Sequence, residues 1–322
     1  LATIELDECT GEGRFALPNH TILNAVKELP EQPLQMTIDD QSLSVVVDYQ
    51  NGSFSLAALP ADDYPVMPDM SDDATVLTLN QQLLAENISR SLFATAQDEI
   101  RPVMGGILFD LKADGLTVVA TDGHKLVRNR ILNVVAEEEP TSFILPQKPA
   151  QLLKGVLAKG EGDVVVRFAA NSCEFKYDGG EFRCRLIEGR YPNYNSVIPT
   201  NNTNCLTADR KTMLGALKRV LPFSSESSRL VRFHLEKGLL RLQASDIDFA
   251  TSAKESIACE YAGTTMDIGF KGDSVCEILN NLSSDEVTVQ LADPSRAGVF
   301  VPVEQPENQE ILMLMMPMLL ND

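Results

Sequence analysis

The residues that most resemble a reactive site are Asp122 and His124, which lie one residue apart in the stretch ATDGHKL at 120–126. A carboxylate beside an imidazole can act as an acid–base pair, but hydrolysis also needs a nucleophile and an oxyanion donor within reach. The sequence contains no motif that supplies either group. Because Asp-Gly after a strand-like run is typical of a turn, we expect a structural role and no catalytic residue.

Cysteine and histidine chemistry is also weakly represented. The chain has three histidines, and its six cysteines, at positions 9, 173, 184, 205, 259 and 276, show neither a CxxC motif nor metal-type spacing. This pattern predicts reduced, mostly buried thiols in a cytoplasmic protein. The pair Gly105-Gly106 lacks the surroundings of a dinucleotide-binding loop. No metal and no cofactor are therefore expected.

The apolar tail ILMLMMPMLL, at 311–320, is the second notable stretch. Its first half is typical of a final buried strand, which Pro317 then ends. The following residues, Met318 and Leu320, are hard to bury so close to the end of the sequence. Exposed and flexible methionine-rich surface suits the binding of varied peptides, so the tail predicts a contact with protein partners.

Charge is distributed unevenly along the 322 residues, whose formal net charge is −19. That total favours solubility and by itself argues against nucleic-acid binding. Two helical segments are nevertheless basic: 146–160 has three lysines and no acid, and 207–222 has four cations and one acid. Solvated helix faces would explain either segment alone. The 44% hydrophobic content supports sizeable cores, and no run of about 18 apolar residues suggests a membrane span.

An internal repeat must position these stretches. A block opens with FILP at Phe143 and closes at Pro192, and similar blocks begin at Phe15 and Ile268. Each block has the order strand, helix, strand, strand, strand, and the blocks recur about every 125 residues. The segments that begin at Val76 and at Leu206 show the same order. A complete module thus contains the pattern twice, which predicts an α+β fold of tandem domains.

Two linker-like segments, at 62–74 and 194–203, divide the chain. They predict the C-terminal half of a first domain at 1–70, a second domain at 71–199 and a third at 200–322. By the repeat spacing, roughly 55 residues of the first module would precede Leu1, so we expect a fragment or a processed start.

Three tandem modules, the ATDGHKL stretch, the segment from Leu186 to Tyr194 and the Met-Pro-Met-x-Leu end together resemble the β subunit of bacterial DNA polymerase III, the sliding clamp. The resemblance covers the chain and implies a homodimeric ring of clamp domains, with helices inside and antiparallel sheets outside. It implies a processivity factor that encircles duplex DNA without sequence preference. It also implies binding to the polymerase catalytic subunit, the clamp loader and other proteins with clamp-binding motifs, and no contact with membranes.

The resemblance assigns roles to particular residues. It implies a cleft between the second and third modules for partner peptides, lined by Met104, Thr121, Gly123, His124, Leu126, Pro192, Val197, Met316, Pro317, Met318 and Leu320. Phe54 and Phe223 would lie at the dimer contact. With the basic helices, it predicts DNA-facing cations at Lys148, Lys154, Arg210, Lys211, Lys218 and Arg219. Some relatives have a basic residue where Ser196 stands, so we expect a less charged cleft here.

Two other classes of function compete with this hypothesis. A plain repeat scaffold would bind proteins only and show no salt-dependent retention on circular duplex DNA. A hydrolase would depend on Asp122 and His124, and its turnover would be lost in His124→Ala. Only the clamp hypothesis accounts for basic helices in a strongly acidic chain.

Overall fold

The structure is a computed structural model that describes residues 4–64, 70–71, 73–136 and 139–320. These residues form two compact units, one up to residue 64 and one from Met70 onward. None of the helices in the described ranges is long and apolar enough to cross a membrane.

The described residues of the first unit form one α-helix, a short 3-10 helix and two small antiparallel sheets. Its elements are β1 (Phe15–Ala16), α1 (Asn19–Lys27), β2 (Gln35–Asp39), β3 (Ser44–Tyr49), β4 (Gly52–Ala57) and β5 (Leu59–Pro60). Strands β2, β3 and β4 pair in that order, so β4 is an edge strand, and β1 pairs with β5. Alternating residues of β3, Val45 and Val47, form a small core together with Ala58.

The second unit begins with a complete module of ten strands and helices. They are β6 (Thr75–Asn80), α2 (Gln81–Leu92), β7 (Gly106–Lys112), β8 (Gly115–Thr121), β9 (Lys125–Ile131), β10 (Thr141–Pro146), α3 (Gln147–Leu157), β11 (Asp163–Phe168), β12 (Ser172–Tyr177) and β13 (Gly180–Arg185). The order strand, helix and three strands occurs twice, as the sequence predicts.

The next module repeats this order with one additional short strand. Its elements are β14 (Asn204–Asp209), α4 (Arg210–Val220), β15 (Leu230–Glu236), β16 (Leu239–Asp246), β17 (Thr251–Ala258), β18 (Glu260–Tyr261), β19 (Met266–Lys271), α5 (Gly272–Asn281), β20 (Glu286–Leu291), β21 (Gly298–Pro302) and β22 (Gln309–Met315). The α+β class is confirmed.

One antiparallel sheet joins the two complete modules. Its nine strands run in the order β10-β7-β8-β9-β22-β21-β20-β14-β18, and β9 pairs with β22 across the module junction. Two four-stranded sheets, β13-β12-β11-β6 and β17-β16-β15-β19, complete the unit. Because the long sheet is continuous, the two complete modules form one compact unit. The boundary between the second and third domains at 199/200 stays a prediction.

The repeat extends to the aromatic core. Phe109 and Phe143 stack with ring centroids 4.8 Å apart in the first complete module. At the corresponding strands of the next, Phe233 and Phe270 meet edge to face at 5.3 Å, and Phe300 adds a further ring at 6.0 Å. Such offset and edge-on pairs are favourable beyond the area that they bury. Helices α2 and α3 pack as a pair, as do α4 and α5.

The sequence misplaces some local boundaries. The apolar alternation at residues 2–6 predicts a strand, and this prediction is wrong over its described part, where Ile4 is 79% and Leu6 is 68% exposed. Apolar alternation there does not produce a strand because no neighbouring strand covers those side chains. Apolar periodicity in the sequence predicts helices at 21–29, 81–96, 151–163 and 211–221. The corresponding helices occur at 19–27, 81–92, 147–157 and 210–220.

Candidate partner-peptide cleft

The last strand, β22, pairs with β9 of the preceding module. The residue that follows β22, Met316, lies beside His124. In the pairing of β9 with β22, Leu126 lies opposite Leu314 and Lys125 lies opposite Met315. One step further, the Met316 amide donates to the His124 carbonyl oxygen at 2.8 Å. The pairing thus brings together residues that are about 190 positions apart in the sequence.

Hydrogen bonds hold the turn at 121–125 in place. The Asp122 carboxylate accepts from the amides of His124 and Lys125 at 2.8 and 2.9 Å. The Thr121 hydroxyl donates to the Lys125 carbonyl oxygen and accepts from the Gly123 amide. Gly123 has φ +90°, a backbone conformation that favours glycine. The Asp122 carboxylate therefore closes the turn, which favours the structural interpretation over an acid–base pair.

Met104 and Arg101 support this turn from the segment before β7. The Arg101 guanidinium donates to the Asp122 carbonyl oxygen at 2.8 Å and to the Asp98 carboxylate at 2.7 Å. That carboxylate raises the pKa of Arg101. A Cβ built on Gly123 would lie 2.7 Å from the Arg101 guanidinium and 3.7 Å from the end of buried Met104. Met104 is thus beside the turn.

The residues after Pro317 lie along β19. The Met318 amide donates to the Gly269 carbonyl oxygen at 2.8 Å. A Cβ on Gly269 would approach the Met318 carbonyl oxygen to 2.7 Å and a Leu320 methyl group to 2.9 Å. The close approach of the tail therefore depends on a glycine at this position. Met318 and Leu320 thus contact the last module, whereas Met316 contacts the turn of the preceding one.

A buried apolar cluster underlies this surface. It contains Leu126 and Leu314 from the paired strands and Tyr191 and Tyr194 from the segment after β13. The Tyr191 hydroxyl accepts from the Thr121 amide at 3.1 Å, and the Tyr194 hydroxyl donates to Asp110 at 2.7 Å. Burial raises the pKa of both tyrosines. These contacts hold the segment at 191–197, which contains the predicted cleft residues Pro192 and Val197, against the sheet.

Above this cluster the surface remains apolar and accessible. Val197 is 52%, Met316 39% and Leu319 89% exposed. Pro192, between the two tyrosines, is exposed, and Ile198 packs against the cluster. Such an exposed apolar patch, bordered by the polar turn, has the character of a protein-interaction site.

An open polar depression of about 830 Å³ is lined in part by Asp122, His124 and Lys125. The Lys125 ammonium forms a 2.6 Å ion pair with Glu277 of α5 and lies 5.4 Å from the centroid of the Phe93 ring. Lys154 lines the same depression. Lys125 therefore links the two modules directly beside the turn.

The predicted DNA-facing cations differ in their surroundings. The Arg210 guanidinium donates to the carbonyl oxygens of Leu279 and Ser284, so it caps the end of α5 rather than projecting freely. Arg219 binds Glu255 at 2.9 Å. Within the described residues, exposed Lys148, Lys211 and Lys218 form no ion pair or hydrogen bond. These three lysines are the better candidates for phosphate contacts.

The predicted dimer residues lie on or next to sheet edges. Phe54, on edge strand β4, is half-buried, and its ring centroid is 6.1 Å from that of Tyr49. Phe223 ends a short 3-10 helix and is 41% exposed. That helix packs against β16 and against β17, the edge strand of its own sheet.

Several residues of this surface escape the sequence-based prediction. Leu314 is identifiable only from its pairing with Leu126, and Gly269 only from the approach of the tail. Arg101 and Lys125 act through contacts with other segments. For Gly269 the signal would be a glycine inside a strand pattern, which often marks a close backbone approach.

The repeated modules and the crossing tail strand define a protein of the sliding-clamp class. Profiles of the DNA polymerase III beta subunit match in chain order, the N-terminal domain at residues 2–68, the central domain at 78–193 and the C-terminal domain at 195–319. The chain belongs to this family, the beta sliding clamps, and the predicted clamp-domain fold is confirmed.

Individual relatives agree over nearly the whole chain. The beta sliding clamp of Pseudomonas putida is 27% identical over 98% of this chain and 84% of its own length. That of Escherichia coli K12 is 27% identical over 99% and 85%. The crystal structure of the DNA polymerase III beta subunit from Thermotoga maritima has a TM-score of 0.90 at 24% identity, covering 99% of this chain and 85% of its own.

Proposed function

We infer that this chain acts as a DNA polymerase processivity factor, which is the function of the family to which it belongs. It forms a homodimeric ring around duplex DNA in the cytoplasm and requires no catalytic residue. The surface built by the turn at 121–125, the segment at 192–197 and the tail at 316–320 receives peptides of its partners. We name this surface the cleft. Its partners are the polymerase catalytic subunit, the clamp loader and other proteins with a similar apolar motif.

The observation that carries the cleft proposal is the hydrogen bond between the Met316 amide and His124. It holds the tail at the module junction, where apolar side chains of the tail remain exposed, as does Val197 of the segment at 192–197. Burying one leucine or phenylalanine of a partner there would contribute roughly 1.5–3 kcal/mol, before the cost of ordering the peptide. Two such residues contribute roughly 3–6 kcal/mol, whereas micromolar affinity needs about 8 kcal/mol, so other contacts of the peptide must supply the rest.

The charge distribution supports the DNA proposal. Lys148 is the second residue of α3, and Lys211 is the second residue of α4. Mobile lysine side chains attract phosphates without reading bases, which allows a protein to move along DNA. The net charge of −19 must then be carried by other faces of the chain.

Removing the tail tests the cleft. We expect deletion of residues 316–322 to abolish binding of a fluorescent peptide of the Gln-Leu-x-Leu-Phe type, measured by anisotropy, while circular dichroism stays unchanged. Val303→Ser removes a comparably exposed apolar side chain elsewhere in the last module and should bind normally. Equal peptide affinity in the deletion variant and the full chain would exclude this surface as the binding site.

A further inference from the structure

Arg128 lies beside the apolar floor of the cleft. It is two residues beyond Leu126 on β9, so both side chains emerge on the same face of the sheet. Its neighbours in register are Val119 of β8 and Leu312 of β22. The Cα atoms of Arg128 and Leu126 are therefore separated by roughly 6.5 Å, the length of two strand residues.

The Arg128 side chain is half-buried, and its Nε is buried without a hydrogen-bond partner among the described residues. Burial lowers the pKa of Arg128, and Arg130 acts in the same direction. No neighbouring group in the described part of the chain offsets this loss of hydration with a hydrogen bond to Arg128. Glu310 binds Arg130 at 2.7 Å, and the Tyr194 hydroxyl donates to Asp110. Burying a charged arginine is unfavourable when no carboxylate replaces the water that it loses.

Arg130, on the same face of the same strand, shows the contrast. Its guanidinium lies between two carboxylates, 2.9 Å from Asp114 and 2.7 Å from Glu310. Ser196, the other polar candidate near the cleft, donates its hydroxyl hydrogen bond to Asn193. Arg128 thus retains unmet bonding capacity that a ligand can satisfy.

We propose that Arg128 determines specificity in the cleft by selecting peptides that carry a carboxylate within one or two residues of the apolar side chain resting on Leu126 and Leu314. The proposal rests on the proposed function of the cleft. A chain with net charge −19 repels acidic peptides at long range. Any preference of the cleft for an acidic peptide therefore requires a cation close to the binding site. A carboxylate can accept two hydrogen bonds from one guanidinium, which gives the contact a defined geometry.

Paired peptides test this proposal. Fluorescent Gln-Leu-Asp-Leu-Phe and Gln-Leu-Asn-Leu-Phe peptides differ in charge and hardly in size, and a second pair places the acid one position beyond the last apolar residue. For at least one pair we expect the acidic peptide to bind roughly tenfold more tightly, the size of a charge-assisted hydrogen bond. The preference should shrink as salt is added.

Variants assign the preference to one residue. Arg128→Met fits among Val119 and Leu312 and should bind both peptides of a pair equally. Lys237→Gln removes one exposed charge from a turn of the last module and, as the control, should keep the preference. If wild type binds the neutral peptides but shows no preference, or if the preference survives in Arg128→Met, the role of Arg128 is wrong and the cleft stands. If no peptide binds wild type, the cleft proposal fails as well.

Discussion

At the scale of single residues, glycines and cysteines show how local chemistry depends on surroundings. Gly123 and Gly269 permit a turn and a close approach that a side chain would obstruct. The prediction of mostly buried thiols holds for only half of the cysteines: 173, 184 and 276 are buried, 259 is partly buried, and 9 and 205 are exposed. Burial raises the pKa of Cys276 to about 11 and that of Cys184 to about 12, so these thiols stay protonated at neutral pH.

Gly269→Ala tests the close approach of the tail. The new methyl group would lie within 3 Å of the Met318 carbonyl oxygen and of two leucine side chains. We expect the tail to shift, with a loss of roughly 1–3 kcal/mol in stability and weaker peptide binding. Gly155→Ala, whose added methyl group meets nothing within 4 Å, should instead stabilise helix α3. Chemical denaturation and peptide anisotropy measure both effects, and unchanged binding in Gly269→Ala would contradict the role of the tail.

At the scale of elements, polar side chains cap the first helix of each complete module, α2 and α4. The Asn80 side chain accepts from the amides of Gln82 and Leu83 at the start of α2. Asp209 accepts from the Thr212 amide at the start of α4, and these hydrogen bonds lower the pKa of Asp209. Each cap satisfies helix amides that have no partner within the helix.

Asp209→Ala should destabilise the chain by about 1 kcal/mol at neutral pH, the usual value of a helix cap. Because the folded-state pKa of Asp209 is depressed, its contribution is present above the unfolded-state pKa and disappears as pH falls through the folded value. The stability difference between variant and wild type should therefore narrow below about pH 4. Urea unfolding across a pH series measures it, and a gap that stays constant into that range would argue against an ionised cap.

At the scale of the whole molecule, edge strands and surface charge govern assembly. Strands β4 and β17 each leave one edge unpaired within their sheets. An unpaired edge is a template for pairing with another chain. Head-to-tail contacts form a closed ring only when the rotation between successive copies returns the last copy to the first. A homodimer in which β4 of one copy meets the last module of the other satisfies both edges.

Phe54→Asp should convert this dimer to monomers, since a charge would be buried at the contact without a partner. Light scattering reports the mass. Ser55→Asp adds the same charge to the next residue of β4, which faces the opposite side of the sheet, and should remain dimeric. A dimeric mass in Phe54→Asp would place the contact elsewhere.

Reversing charge on the helices should shorten retention on circular DNA. We expect Lys148→Glu combined with Lys211→Glu to lower retention. The plot of log affinity against log salt concentration should also become shallower, by about one unit of slope for each phosphate that the protein no longer neutralises. Arg185→Glu with Lys237→Glu changes the net charge equally on exposed strand and turn positions and should have little effect. Equal reductions in both double variants would indicate a general charge effect rather than a DNA-facing surface.

The sequence by itself determined the repeat, the α+β class, the turn at 121–125 and the end of the last strand at Pro317, because these depend on local periodicity and on turn residues. The pairing of β9 with β22, the approach of the tail to Gly269 and the isolation of Arg128 from carboxylates were decided only by the tertiary structure. These features join segments far apart in the chain. Contacts between such segments depend on which surfaces pack together, and a single sequence carries no local signal for that choice.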